Sequence, residues 1–161
     1  MTSRRETDKF EFSPSADERV TNYLRHLNEA NDGWINLMPG VHVDEERTPT
    51  LPGPFALFTG RQAPVTMATL VPPKAAKKSL EGVTIGLLHP TGNKAVARLA
   101  EAGVDMPDGW VVKQDHNKRG LLILTPPGTP EHLIVEWSIR AGTALCREEM
   151  TGEWQAVVYL P

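Results

Sequence analysis

Apolar residues recur along the chain with two different periods, and each change of period marks an element. Val20, Tyr23, Leu24 and Leu27 fall three and four residues apart behind Ser15, Asp17 and Glu18. That is one apolar helical face behind a capping hydroxyl, and it predicts an amphipathic helix over 16–30. Asn31-Asp32-Gly33 stops it. A short helix is expected through Val96, Leu99 and Ala100 to Ala102, closed by Gly103 where a left-handed cap fits. For a third, Thr129-Pro130-Glu131 supplies a hydroxyl, a first-turn proline and a carboxylate favoured by the helix dipole. Leu133, Ile134, Trp137, Ala141, Ala144 and Leu145 follow on one face of it.

Elsewhere the apolar runs are short and bounded by turn residues, which predicts strands over 34–38, 54–59, 65–71, 82–88 and 154–160 and a hairpin over 110–124. In the 82–88 run Val83, Ile85 and Leu87 alternate with Thr84, Gly86 and Leu88. Short connections favour antiparallel pairing, and each amphipathic helix has one stripe to bury. The expected fold class is therefore α+β: a single domain with a mostly antiparallel sheet of six or seven strands and about three amphipathic helices packed on it. Residues 1–14 lack periodicity and carry Arg4, Arg5, Glu6, Asp8 and Lys9 close together. They read as a flexible N-terminal tail, anchored by Phe10 and Phe12, ahead of a single α+β domain over 15–161.

Composition agrees with one globular domain: 161 residues, 40% hydrophobic and 23% charged, with 14 prolines and 13 glycines that call for many turns. The single Cys146 excludes an internal disulfide and suits a reducing compartment. The first thirty residues hold no apolar core of a secretory signal, and no run approaches the roughly 20 apolar residues of a membrane span. A soluble, cytoplasmic protein with no membrane partner is expected. The formal net charge of −3 argues against a nucleic-acid binder. Residues 61–119 are nonetheless basic, between two acidic blocks, so an anionic small molecule or an acidic partner fits the middle of the chain.

The densest chemistry is Gln114-Asp115-His116-Asn117-Lys118-Arg119-Gly120, a polar hairpin tip between two apolar runs. As a site, His116 would be a general base oriented by Asp115, and Lys118 with Arg119 would stabilise phosphoryl charge. As an ordinary turn, Asp115 and Asn117 shape the tip while the cations solvate it. A second candidate is the strand-to-helix turn His89-Pro90-Thr91-Gly92-Asn93-Lys94, where N–H groups and Lys94 could converge on an anion. It lacks the glycine spacing and the following hydroxyl of a phosphate loop. Arg61, in Thr59-Gly60-Arg61-Gln62, would serve the same ligand if it lay near the tip. Asp115, His116 and His89 do not have the spacing of a metal site, and adjacent strand residues point to opposite faces. No metal is assigned and the cofactor is unknown. Trp34, Trp110, Trp137 and Trp154 read as core, although Trp34 and Trp110 exposed together would make a stacking platform.

No coherent catalytic set emerges. The leading expectation is a non-catalytic binding or protein-interaction module, acting as a homodimer or with a protein partner, with the acidic 41–53 loop and the 114–119 tip as contact surfaces and an edge strand such as 154–160 supplying the pairing. Against it stands an enzyme or sensor for a phosphorylated small molecule, using His89, Lys94, Asp115, His116, Lys118, Arg119 and Arg61.

Overall fold

Buried and half-exposed residues alternate along every central strand, and the buried ones pair with one another across the whole sheet. The computed structural model in which this is seen describes residues 5–42 and 65–161. Its elements in order are β1 (Thr7–Phe12), α1 (Arg19–Ala30), β2 (Trp34–Val41), β3 (Met67–Val71), β4 (Thr84–Leu88), α2 (Ala95–Glu101), β5 (Val111–His116), β6 (Gly120–Leu124), α3 (Glu131–Leu145) and β7 (Met150–Tyr159). A single 3-10 turn, Ala75–Lys77, lies in the β3–β4 connection.

The seven strands form one sheet in the order β1-β7-β2-β3-β4-β6-β5, with every neighbouring pair antiparallel. This is the α+β architecture. Two crossovers have the same form: β1 reaches β2 through α1 with β7 between them, and β4 reaches β5 through α2 with β6 between them. Helix α3 carries the chain from β6 back to β7 and packs over β2, β3 and β4, touching α1 and α2 on either side.

One face of the sheet makes the core. Phe12, Ile35, Leu37, Leu70, Ile85, Leu87, Ile123, Trp154 and Val158 are buried there against Leu24 and Leu27 of α1, Leu99 of α2 and Ile134, Trp137 and Leu145 of α3. Burying side chains of this size stabilises by about 1.5–3 kcal/mol each, which holds all three helices on the same side.

Three expectations change. Thr7–Phe12, placed in a flexible tail, is edge strand β1, in register with β7 from Thr7↔Tyr159 to Phe12↔Trp154. Its partner is far away in sequence, and the local sign of it is limited to the short alternation Lys9-Phe10-Glu11-Phe12. The C-terminal strand is not an edge, because β7 lies between β1 and β2. Leu133, placed on the buried stripe of α3, is 44% exposed. The expected 54–59 strand and positions 43–53 of the acidic loop lie outside the described residues.

The capping also differs. Asp17, not Ser15, serves the start of α1, its carboxylate accepting the Arg19 N–H at 2.9 Å. The Thr129 hydroxyl donates to the Pro126 carbonyl at 2.7 Å rather than capping α3.

Candidate functional site

The sheet register brings the two sequence candidates to one end of the molecule. Leu87 pairs with Leu121 and His116 with Gly120, so the turn after β4 and the β5–β6 tip lie side by side. Gly120 closes that tip with a positive φ of 80°, and a side chain there would collide with the Leu87 carbonyl. His89, Lys94, Asp115, His116, Lys118 and Arg119 therefore share an end of the sheet. Arg61 lies outside the described residues.

The orientation of Asp115 depends on a bulge. Val112 pairs with Ile123 and Gln114 with Leu122, leaving Lys113 as an extra residue in β5. Because strand side chains alternate between faces, this one-residue shift sets Asp115 opposite buried Leu121, on the helix side of the sheet. There its carboxylate accepts the Ala95 N–H at 3.0 Å and the Val96 N–H at 3.2 Å. Asp115 thus caps α2 from another strand, and the anion-favouring end of that helix already holds a carboxylate of the chain itself.

The two histidines are also engaged. His116 Nδ1 accepts the Lys118 N–H at 3.1 Å and the Arg119 N–H at 3.2 Å, which folds the tip over the ring. Gln114 supports it, its amide donating to the Arg119 and Gly120 carbonyls at 3.4 Å each. His89 is only 4% exposed, and its Nδ1 faces the Thr91 N–H at 3.3 Å and the Thr91 hydroxyl at 2.8 Å. Accepting from them places the ring proton on Nε2, which is buried without a partner among the described residues. Burial pushes the His89 pKa down, against the opposing pull of the nearby Asp115 charge. Neither ring is presented to a substrate as a free base.

Lys94, Lys118 and Arg119 are exposed, and none pairs with a carboxylate among the described residues. Lys94 takes a left-handed conformation, with φ 61°, immediately before α2. Among the described residues no cluster of three or more His, Cys, Asp or Glu side chains is arranged to hold a metal ion.

Two further features have no local sequence motif. At the opposite end, a cleft of about 320 Å³ opens between α1, the β3–β4 connection and the start of α3. Arg25, Asn28, Lys78 and Glu131 contribute to its walls, and the Asn28 amide donates to Glu131 at 3.3 Å.

The second feature is the sheet face turned away from the helices. It carries Trp34, Asn36 and Met38 of β2, Met67, Thr69 and Val71 of β3, Thr84, Gly86 and Leu88 of β4, and Leu122 and Leu124 of β6. All are half-buried or exposed, none is charged, and no described helix packs over them. Charge appears towards the β1 edge, as Lys9 and Glu11, and at the start of β2, where the Arg5 guanidinium lies over the Trp34 ring at 5.1 Å. Trp34 stacks on Tyr159 at a centroid distance of 4.5 Å within this face. Trp110 lies on the other side, edge-on to buried Trp137 at 5.4 Å, so the Trp34–Trp110 platform does not form. Alternation in the strands signals such a face, since the second set of every alternating run is apolar or neutral here.

Among described residues no helix is long and apolar enough to cross a membrane. Compared with models of protein families, with curated proteins and with solved structures, the chain matches none.

Proposed function

We propose that the protein is a cytoplasmic, non-catalytic protein-interaction module whose contact surface is the helix-free face of its sheet. The observation that carries this reading is the uncharged character of that face across β2, β3, β4 and β6. Antiparallel sheets in water ordinarily alternate apolar-in with polar-out. A broad neutral centre with Trp, Tyr and Met, ringed by charge, instead has the composition of a protein–protein interface core and rim. The engagement of Asp115, His116 and His89 in shaping their own turns supports binding over chemistry.

Gly86 provides the test. It lies mid-face on β4, and a side chain built there meets nothing closer than 4.0 Å. Gly86→Arg therefore leaves the fold in place and adds a charge to the centre of the surface. A partner captured from the host's cell extract by the wild-type chain is expected to be lost with Gly86→Arg and kept with a change at exposed Glu136 on α3. Equal capture by all three proteins contradicts the reading.

A second reading, recognition of a phosphorylated small molecule, is favoured by Lys94, Lys118 and Arg119 at one end, three cations that pair with no carboxylate among the described residues. It ranks lower because Asp115 already fills the α2 N-terminus with negative charge.

A further inference from the structure

Among the described residues strand β1 is an edge, and the geometry of its inner side fixes what its outer side offers. The Leu160 N–H donates to the Glu6 carbonyl at 2.9 Å, continuing the β1–β7 register by one pair. In an antiparallel ladder the bonded pairs alternate, so Asp8, Phe10 and Phe12 turn their backbone groups towards β7 while Thr7, Lys9 and Glu11 turn theirs outward. The Glu11 carbonyl confirms this parity, since the Arg19 guanidinium reaches round the edge to donate to it at 2.9 Å.

From this geometry we infer that the chain pairs with a second copy of itself, β1 antiparallel to β1, about a two-fold axis at Phe10. In that register Lys9 faces Glu11 of the second copy and Glu11 faces its Lys9. Both residues have outward backbone groups, so each pair exchanges N–H···O bonds and sets opposite charges directly across the seam. The two adjacent registers bring Lys9 against Lys9 or Glu11 against Glu11, and like charges directly opposite are destabilising. The edge is thus self-complementary in one register, as an isologous contact requires. The Glu11 carbonyl has a second lone pair, so the Arg19 bond persists in the dimer.

The two edges of the sheet differ. On β5 the bulge at Lys113 interrupts the outward ladder, a device that blunts edge pairing. Strand β1 has neither bulge nor proline among Thr7–Phe12. Pairing through β1 joins two sheets into one and extends the helix-free face across the axis.

Two single charge reversals test the inference on the full-length chain. Sedimentation equilibrium is expected to show a wild-type dimer. Glu11→Lys and Lys9→Glu should each weaken self-association by about tenfold, because both symmetry-related pairs become like-charged at once. Mixed in equal amounts, the two variants should recover dimerisation, since each Lys then faces a Glu. Circular dichroism of each variant checks its fold. A monomeric wild type, a dimer indifferent to either reversal, or variants that fail to associate when mixed would each overturn the proposal. The result is independent of the sheet-face reading, because Gly86 lies on β4, away from this edge, and a monomer leaves that reading intact.

Discussion

Asp115 and Ala95 lie twenty positions apart in sequence and are joined by a 3.0 Å hydrogen bond, the Ala95 N–H donating to the Asp115 carboxylate. This contact ties the β5–β6 hairpin to the start of α2 and decides how the most conspicuous polar segment of the chain is used. Asp115 supports a helix, and its neighbours His116, Lys118 and Arg119 remain outside.

The first prediction tests that tie. Asp115→Ala should cost about 1–2 kcal/mol, the range for losing a helix cap, measured as a shift in the urea unfolding midpoint at unchanged slope. Full stability in Asp115→Ala would show that the cap contributes nothing.

His89 supplies a pH dependence of defined sign. Burial holds its folded-state pKa below the 6.5 of a free side chain, so the unfolded chain takes up the proton first as pH falls. The contribution from neutral His89 is complete above about pH 7.5, a unit above that free value, and is lost as pH drops through 6.5 towards the folded-state value. Urea midpoints measured across this range should fall towards acid in the wild type and fall less in His89→Gln. Parallel profiles would remove His89 as the cause.

If the cations at the tip bind phosphate groups, a phosphorylated ligand raises the thermal midpoint, by an amount set by its concentration over its dissociation constant. The sheet-face account predicts no shift with nucleotides or sugar phosphates. A shift abolished by a Lys118 and Arg119 double substitution would transfer the function to that end of the molecule.

Much of the fold was legible because it is local. Val20, Leu24 and Leu27 are the buried stripe of α1, Pro130 and Glu131 mark the start of α3, and Val83, Ile85 and Leu87 point inward as their alternation required. What escaped depends on distant partners. In β1 the helix-side set is Asp8, Phe10 and Phe12, and Asp8 is tolerated because the Tyr23 hydroxyl donates to it. With a carboxylate among its inward positions, the strand's alternating signature shrinks to Lys9-Phe10-Glu11-Phe12. The same holds for the candidate site: the polar tip was visible, but the target of Asp115 depends on a bulge and on a helix that precedes it. The size of its ring argues for Trp34 in the core, whereas the register sets it opposite Tyr159 on the outer face.

Photo-cross-linking in living cells tests the central claim most directly. A photoreactive side chain replaces Leu122, in the helix-free face, or Glu136, on the outer surface of α3. The account predicts protein adducts from position 122, suppressed by Gly86→Arg, and none from position 136. An absence of adducts at 122, or equal adducts at both positions, would contradict it.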